Sequence, residues 1–174
     1  MKLLLALAMT WVATRGALAP GRAPGSFWVT TAPVPGRFTS GDAMADADVH
    51  LPYQLDVRWR RIGPEAGRSL HVIIAGGVLL VQSGRVALYT YDEAALAARG
   101  WTAVPGLDTH REHVIGVRQD TREVRVSVDG VEVLRQALVT SRAATKVGVG
   151  LKGAGGYRSA LLVTSIAVTE LPAQ

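Results

Sequence analysis

Across the 174 residues of this chain, the side chains with chemistry to offer are few and scattered. Asp42, Asp46 and Asp48 lie close together in an irregular segment and present hard oxygen ligands of the kind that Ca²⁺ takes from loops. They are the candidate metal ligands, and the alternative is a solvated acidic loop. Hydrolysis of a glycosidic bond needs two carboxyl groups about 5 to 9.5 Å apart, which two residues on one strand face can supply. Asp46 and Asp48 have that spacing but no regular strand, whereas Asp92 and Glu93 are adjacent and diverge. Asp56 and Glu112 are then the nearest approach to an acid/base pair. In His110-Arg111-Glu112-His113 the imidazoles stand at i and i+3 and enter a strand, while a helical zinc motif needs them at i and i+4. His113 therefore reads as a strand-opening residue and His110 as part of a loop.

The most suggestive feature is a face. Arg85, Tyr89 and Tyr91 alternate against Val86 and Leu88, and Asp56, Arg58 and Arg60 alternate against Leu55, Val57 and Trp59. Were both strands in one sheet, they would present rings for stacking and Arg or Asp groups for hydroxyls, with Trp101 as a wall. Asp56, Arg58, Arg60, Arg85, Tyr89, Tyr91 and Trp101 are thus the expected ligand-binding residues; simple cover of the sheet edge is the plainer reading of the aromatics. Trp59 shares the face of Leu55 and Val57 and belongs to the core.

The elements that must carry these groups follow a period of two. Tyr53 to Ile62 is a half-buried strand. Leu70 to Ile74, a turn at Gly76-Gly77, Val78 to Val81, a turn at Ser83-Gly84 and the run from Arg85 continue as a meander. Glu93 to Arg99 alone reads as a short helix, stopped by Gly100. A hairpin around Asp120-Thr121 precedes a second at Asp129-Gly130, and closing strands are expected at Thr145–Leu151 and Ser159–Thr169. The fold class expected is all-β, a two-sheet antiparallel jelly-roll sandwich with one short helix.

The chain contains no cysteine, so disulfides, thiolate metal sites and Cys nucleophiles are excluded. Neither Gly76-Gly77 nor the run from Gly153 to Gly156 has the strand-loop-helix setting of a phosphate cradle. The net charge is +5, but Lys and Arg are interspersed with acids, which argues against a nucleic-acid partner. Residues 1–19 carry Lys2, an apolar run from Leu3 to Val12 and Ala17-Leu18-Ala19, the layout of a secretory signal peptide; without Lys2 and Arg15 the net charge is +3. The run is short for a membrane span, which needs about 20 residues, although an uncleaved anchor is the alternative. The division expected is 1–19 signal peptide, 20–26 leader and 27–171 sandwich, with Phe27-Trp28-Val29 as its first strand, in a secreted, periplasmic or extracellular protein.

The stretch EHVIGVRQDTREVRVSVDGVEVL resembles concanavalin A-like lectin/glucanase domains, in which a His opens a strand and a V-x-V-x-V-D-G-x-x-V unit follows. His113, Val124, Val126, Val128, Asp129, Gly130 and Val133 carry the match, and the ending VGVGLKG…GGYRSALLVTSIAVTEL is similar to the closing strands of such domains, LamG-like and 3-keto-glycoside hydrolase-like members included. The glucanase carboxylate run E-x-D-x-x-E is missing. The resemblance implies a secreted, non-catalytic domain that recognises carbohydrate or another extracellular ligand on a concave sheet, with no cofactor unless Ca²⁺ is held by the Asp42 loop. A divergent glycoside-active hydrolase and an adhesion domain with a protein partner are the alternatives.

Overall fold

The structure, a computed structural model, describes residues 9–64, 69–90, 100–153 and 155–172. Sixteen strands follow one another: β1 (Trp11–Arg15), β2 (Ala17–Pro20), β3 (Phe27–Thr30), β4 (Thr39–Ala45), β5 (Val49–His50), β6 (Tyr53–Ile62), β7 (Leu70–Ile74), β8 (Gly77–Gln82), β9 (Arg85–Thr90), β10 (Thr102–Ala103), β11 (His113–Gln119), β12 (Glu123–Val128), β13 (Val131–Ala137), β14 (Ala144–Thr145), β15 (Gly148–Gly153) and β16 (Ala160–Glu170). Among the described residues there is no helix. The segment expected to be helical, Glu93 to Arg99, lies outside them, as does Tyr91.

Two seven-stranded antiparallel sheets form the sandwich, ordered β1-β4-β15-β7-β8-β9-β10 and β13-β12-β11-β6-β16-β3-β2, with a small β14-β5 pair beside them. We call them the β7 sheet and the β6 sheet. Alternation puts Leu55, Val57, Trp59, Ile115, Val117, Val124 and Val126 of the β6 sheet inward, where they meet Val72, Leu79, Val81, Val86, Val149 and Leu151 of the β7 sheet in one buried cluster. At the turn after β12, Asp129 and Gly130 adopt φ of 50° and 83°, so the Asp-Gly signal delivers the left-handed pair that a tight hairpin needs.

Each end of β6 ties the two sheets together through polar groups. At one end the Tyr53 hydroxyl donates to Gln119 Oε1 at 2.6 Å, and Gln119 exchanges hydrogen bonds with the backbone of Ala75, beyond β7, at 3.1 and 2.7 Å. Burial pushes the Tyr53 phenol well above its usual range. Gln119→Leu would strand the Ala75 amide and carbonyl and the Tyr53 hydroxyl in the core. A loss of about 2–4 kcal/mol in urea denaturation is expected, with the slope unchanged.

At the other end Arg61, which continues the inward phase of Trp59, is buried. Its guanidinium donates to Pro64 O, to Lys152 O of β15 at 3.2 Å and to Ser159 Oγ at 3.1 Å.

The structure also gives residues 11–20 a place in both sheets. β1 runs along β4 and β2 along β3, and Trp11 stacks on Phe27 with ring centroids 6.0 Å apart. Between them Gly16 has φ of +68°, and a Cβ there would fall on Thr30 O, so the chain crosses from sheet to sheet at a position only glycine fills. Phe27–Thr30 follows them as the third strand of the full chain.

Candidate functional site

Cross-strand registers set one row of outward-facing residues across the β7 sheet. Arg15 stands opposite Asp42, Asp42 opposite Gly150, Gly150 opposite His71, His71 opposite Leu80, and Leu80 opposite Ala87. Their immediate neighbours along each strand point inward: Ala43, Val149, Val72, Leu79 and Val86 all belong to the core. Trp101, just before β10, ends the row beside Ala87, since the next residue, Thr102, pairs with Val86.

Gly150 is what permits the polar half of this row. A Cβ there would fall on Gly41 O, Asp42 Oδ1 and His71 Nε2. With no side chain in between, Asp42 and His71 meet across an intervening strand, Nε2 to Oδ1 at 2.5 Å. Arg15 Nε reaches Asp42 Oδ2 at 3.3 Å. Both His71 and Asp42 are about nine-tenths or more buried, although they point away from the core. Among the described residues the buried His71 Nδ1 has no hydrogen-bond partner, so with Nε2 engaged by the carboxylate the ring keeps one unspent polar atom.

Aromatic rings carrying cations flank the row. Arg85 lies over the Trp101 ring at 4.4 Å and donates to Gln82 Oε1 at 2.8 Å. Lys152, outward on β15, lies over the exposed Phe38 ring at 4.7 Å. Tyr89 stands half-buried on the same face as Arg85. The margins offer rings and cations to a planar or ring-shaped ligand, while the Asp42–His71 pair at the centre is closed off from solvent.

The sequence expected Asp56, Arg58 and Arg60 to share this face with Arg85, Tyr89 and Trp101. They do not: β6 is central in one sheet and β9 lies in the other, so the two sets face opposite sides of the sandwich. Arg85, Tyr89 and Trp101 are brought together with Asp42, His71 and Gly150. His71 was legible as the residue between inward Leu70 and Val72, and Phe38 carried no periodic signal.

The three aspartates do not assemble a Ca²⁺ site. Asp42 is a strand residue turned onto His71 and Arg15, Asp46 accepts the Thr10 amide at 3.1 Å, and Asp48 is exposed. Among the described residues no three acidic or imidazole groups converge.

The two histidines of the 110–113 segment also part company. His110 lies in a turn where its amide donates to Asp108 Oδ1, and His113 opens β11 with Nδ1 at 2.7 Å from Asp129 Oδ2. Hydrogen bonds from Thr164 and Arg58, in that order, hold the Glu112 carboxyl below its usual range, which unsuits it as a proton donor. Asp56 accepts from Gln54 at 2.8 Å.

A cleft of about 520 Å³ between residues 103–107 and the β12–β13 hairpin has mainly aliphatic walls, with His113, Asp129 and Glu132 at its rim. It lacks the ring platforms of the β7-sheet face.

No protein-family profile matches the sequence, and comparison with curated proteins finds no relative. Solved structures do match in shape. A structure from endo-acting O-glycanases that members of the human gut microbiota express to initiate mucin breakdown aligns with a TM-score of 0.68 at 14% identity, over 99% of this chain and 96% of that one. The CBM66 carbohydrate-binding module of Bacillus subtilis aligns at 0.65 and 10% identity, over 94% and 98%. The exoplasmic/lumenal domain of VIP36, bound to Ca²⁺ and Man3GlcNAc, aligns at 0.67 and 11%, over 94% and 87%. At such identities the likeness is one of fold. The chain has the two-sheet antiparallel jelly-roll fold that these lectin and carbohydrate-binding domains share.

Proposed function

We propose that the protein is a non-catalytic carbohydrate-binding domain whose ligand lies along the outer face of the β7 sheet. The observation that carries this reading is the row over Gly150, in which a buried, partly unspent Asp42–His71 pair is flanked by the Trp101 and Phe38 platforms. A pyranose offers an apolar C–H face for a ring and hydroxyls for charged groups; Trp101 and Phe38 with Arg85 and Lys152 supply both on this face, and the Asp42–His71 pair braces the strands beneath them. That lectin and carbohydrate-binding domains share the fold supports the reading without fixing the sugar.

A glycan array probed with wild type, Trp101→Ala, His71→Ala and Arg60→Ala tests it. Binding should weaken at least about tenfold in the first two variants and stay within about twofold in Arg60→Ala, whose side chain faces the other side. Equal binding by all four proteins sinks the proposal.

Export belongs to the same proposal. Cleavage after Ala19 removes β1 and all of β2 but Pro20, takes Arg15 from Asp42 and leaves Asp42 Oδ2 open to a hydroxyl donor. N-terminal sequencing of the exported protein should then begin at Pro20. A secreted chain that retains Trp11 to Arg15 would contradict this processing.

A further inference from the structure

The opposite side of the sandwich carries a second polar site that owes nothing to the row over Gly150. On the outer face of the β6 sheet, Arg135, Arg125 and Arg118 stand side by side on β13, β12 and β11. Like charges directly opposite one another destabilise a sheet. Arg125 pairs with Glu123, and Arg135 lies 3.8 Å from Glu123 and 3.7 Å from Glu132. Arg118 is exposed and makes no ion pair among the described residues.

The adjoining row is Ser127, Gly116 and Asp56. Gly116 is its floor: a Cβ there would fall on Ser127 Oγ and come within 3.0 Å of Asp56 Oδ1 and 3.2 Å of Gln54 Nε2. A hydroxyl, a carboxylate and an amide therefore converge on a spot emptied of side chain. Beside it opens a hollow of about 210 Å³, lined by Gln54, Gly116 and Ser127 together with Arg118, Arg125 and Glu132, and Asp56 borders it at the Gly116 floor. The amide already donates to Asp56 Oδ1 at 2.8 Å, which holds the carboxylate in place and leaves its other oxygen to accept.

We infer that this hollow binds a single acidic sugar unit, its hydroxyls on Asp56, Gln54 and Ser127 and its carboxylate on Arg118 beside Arg125. An anion lodged there adds a counter-charge to the arginine row, while the Asp56 and Glu132 carboxylates repel a bare anion and accept from a hydroxyl. A neutral sugar satisfies only the second row, and a simple carboxylate only the first.

The test is a titration of the full chain followed by backbone amide NMR, with glucuronic acid, glucose and acetate as probes. Running it on both wild type and His71→Ala keeps it separate from the β7-sheet site. Glucuronic acid should shift the amides of Gly116, Arg118 and Ser127 saturably in both proteins, with glucose and acetate at least about tenfold weaker. Arg118→Glu, an exposed change that leaves the fold intact, should weaken glucuronic acid at least about tenfold and leave glucose unchanged. The inference is overturned if those amides do not shift, if either control binds as well as glucuronic acid, or if Arg118→Glu binds like wild type.

Discussion

Gly150→Ala is expected to abolish neutral-glycan binding at the β7-sheet face and to destabilise the protein by about 1–3 kcal/mol, the usual cost of overpacking. The sign is informative, because replacing a strand glycine by alanine ordinarily gains about 0.4–1 kcal/mol by restricting the unfolded chain. Here the added carbon falls on Gly41 O, which is backbone, as well as on Asp42 Oδ1 and His71 Nε2. To admit it, β15 must separate from β4 or the carboxylate must leave the imidazole, and either movement dismantles the row. Gly148→Ala on the same strand face is the control. Its foremost obstacle is Met44 Sδ, the flexible end of a side chain, so its cost should be smaller. Urea denaturation and sugar titration of both variants check the result; a Gly150→Ala protein that is stable and binds normally would remove the glycine from the site.

The second large effect is on stability alone. Arg61→Met should cost about 2–4 kcal/mol, and Arg60→Met should stay within about 0.5 kcal/mol. The two side chains are adjacent in sequence and opposite in setting. Arg61 is buried at the sandwich end with its fork spread over Pro64 O, Lys152 O and Ser159 Oγ, so it ties β6 to β15 across the core. Methionine keeps most of the volume and removes every donor, leaving buried acceptors unmet. Arg61→Lys should also fail, since one ammonium cannot span acceptors placed for a planar fork. Urea midpoints measured at a common slope would show the contrast; equal midpoints for the two methionine variants would contradict it.

What the sequence disclosed divides along local and long-range lines. Alternation placed Trp59, Val124, Val126 and Val128 in the core, and Asp129-Gly130 announced its hairpin, because strand period and left-handed turns are properties of neighbouring residues. Which sheet a strand joins depends on partners far along the chain. Period two alone therefore lets Asp56 and Tyr89 share a face, whereas their strands belong to different sheets and the two side chains lie on opposite sides. Alternation puts Arg61 in the inward phase of Trp59, but the acceptors that let a guanidinium sit there, Lys152 O and Ser159 Oγ, come from far along the chain and leave no local signal. Asp42 looked like part of an acidic loop because Asp46 and Asp48 follow it, whereas its register in β4 turns it onto His71, which is 29 residues away in sequence. Apolar and small residues near the N-terminus fit a signal peptide and an edge strand equally well, and the pairing of residues 11–20 rests on β3 and β4.

The most direct test of the β7-sheet site is to locate a bound neutral glycan, chosen from the array, by amide shift mapping on the isotope-labelled protein. The account predicts saturable shifts at Asp42, His71, Ala87 and Gly150, with the side-chain indole of Trp101 moving alongside them. Shifts confined to the β6-sheet face or to the cleft beside the β12–β13 hairpin, with those residues unmoved, would contradict it.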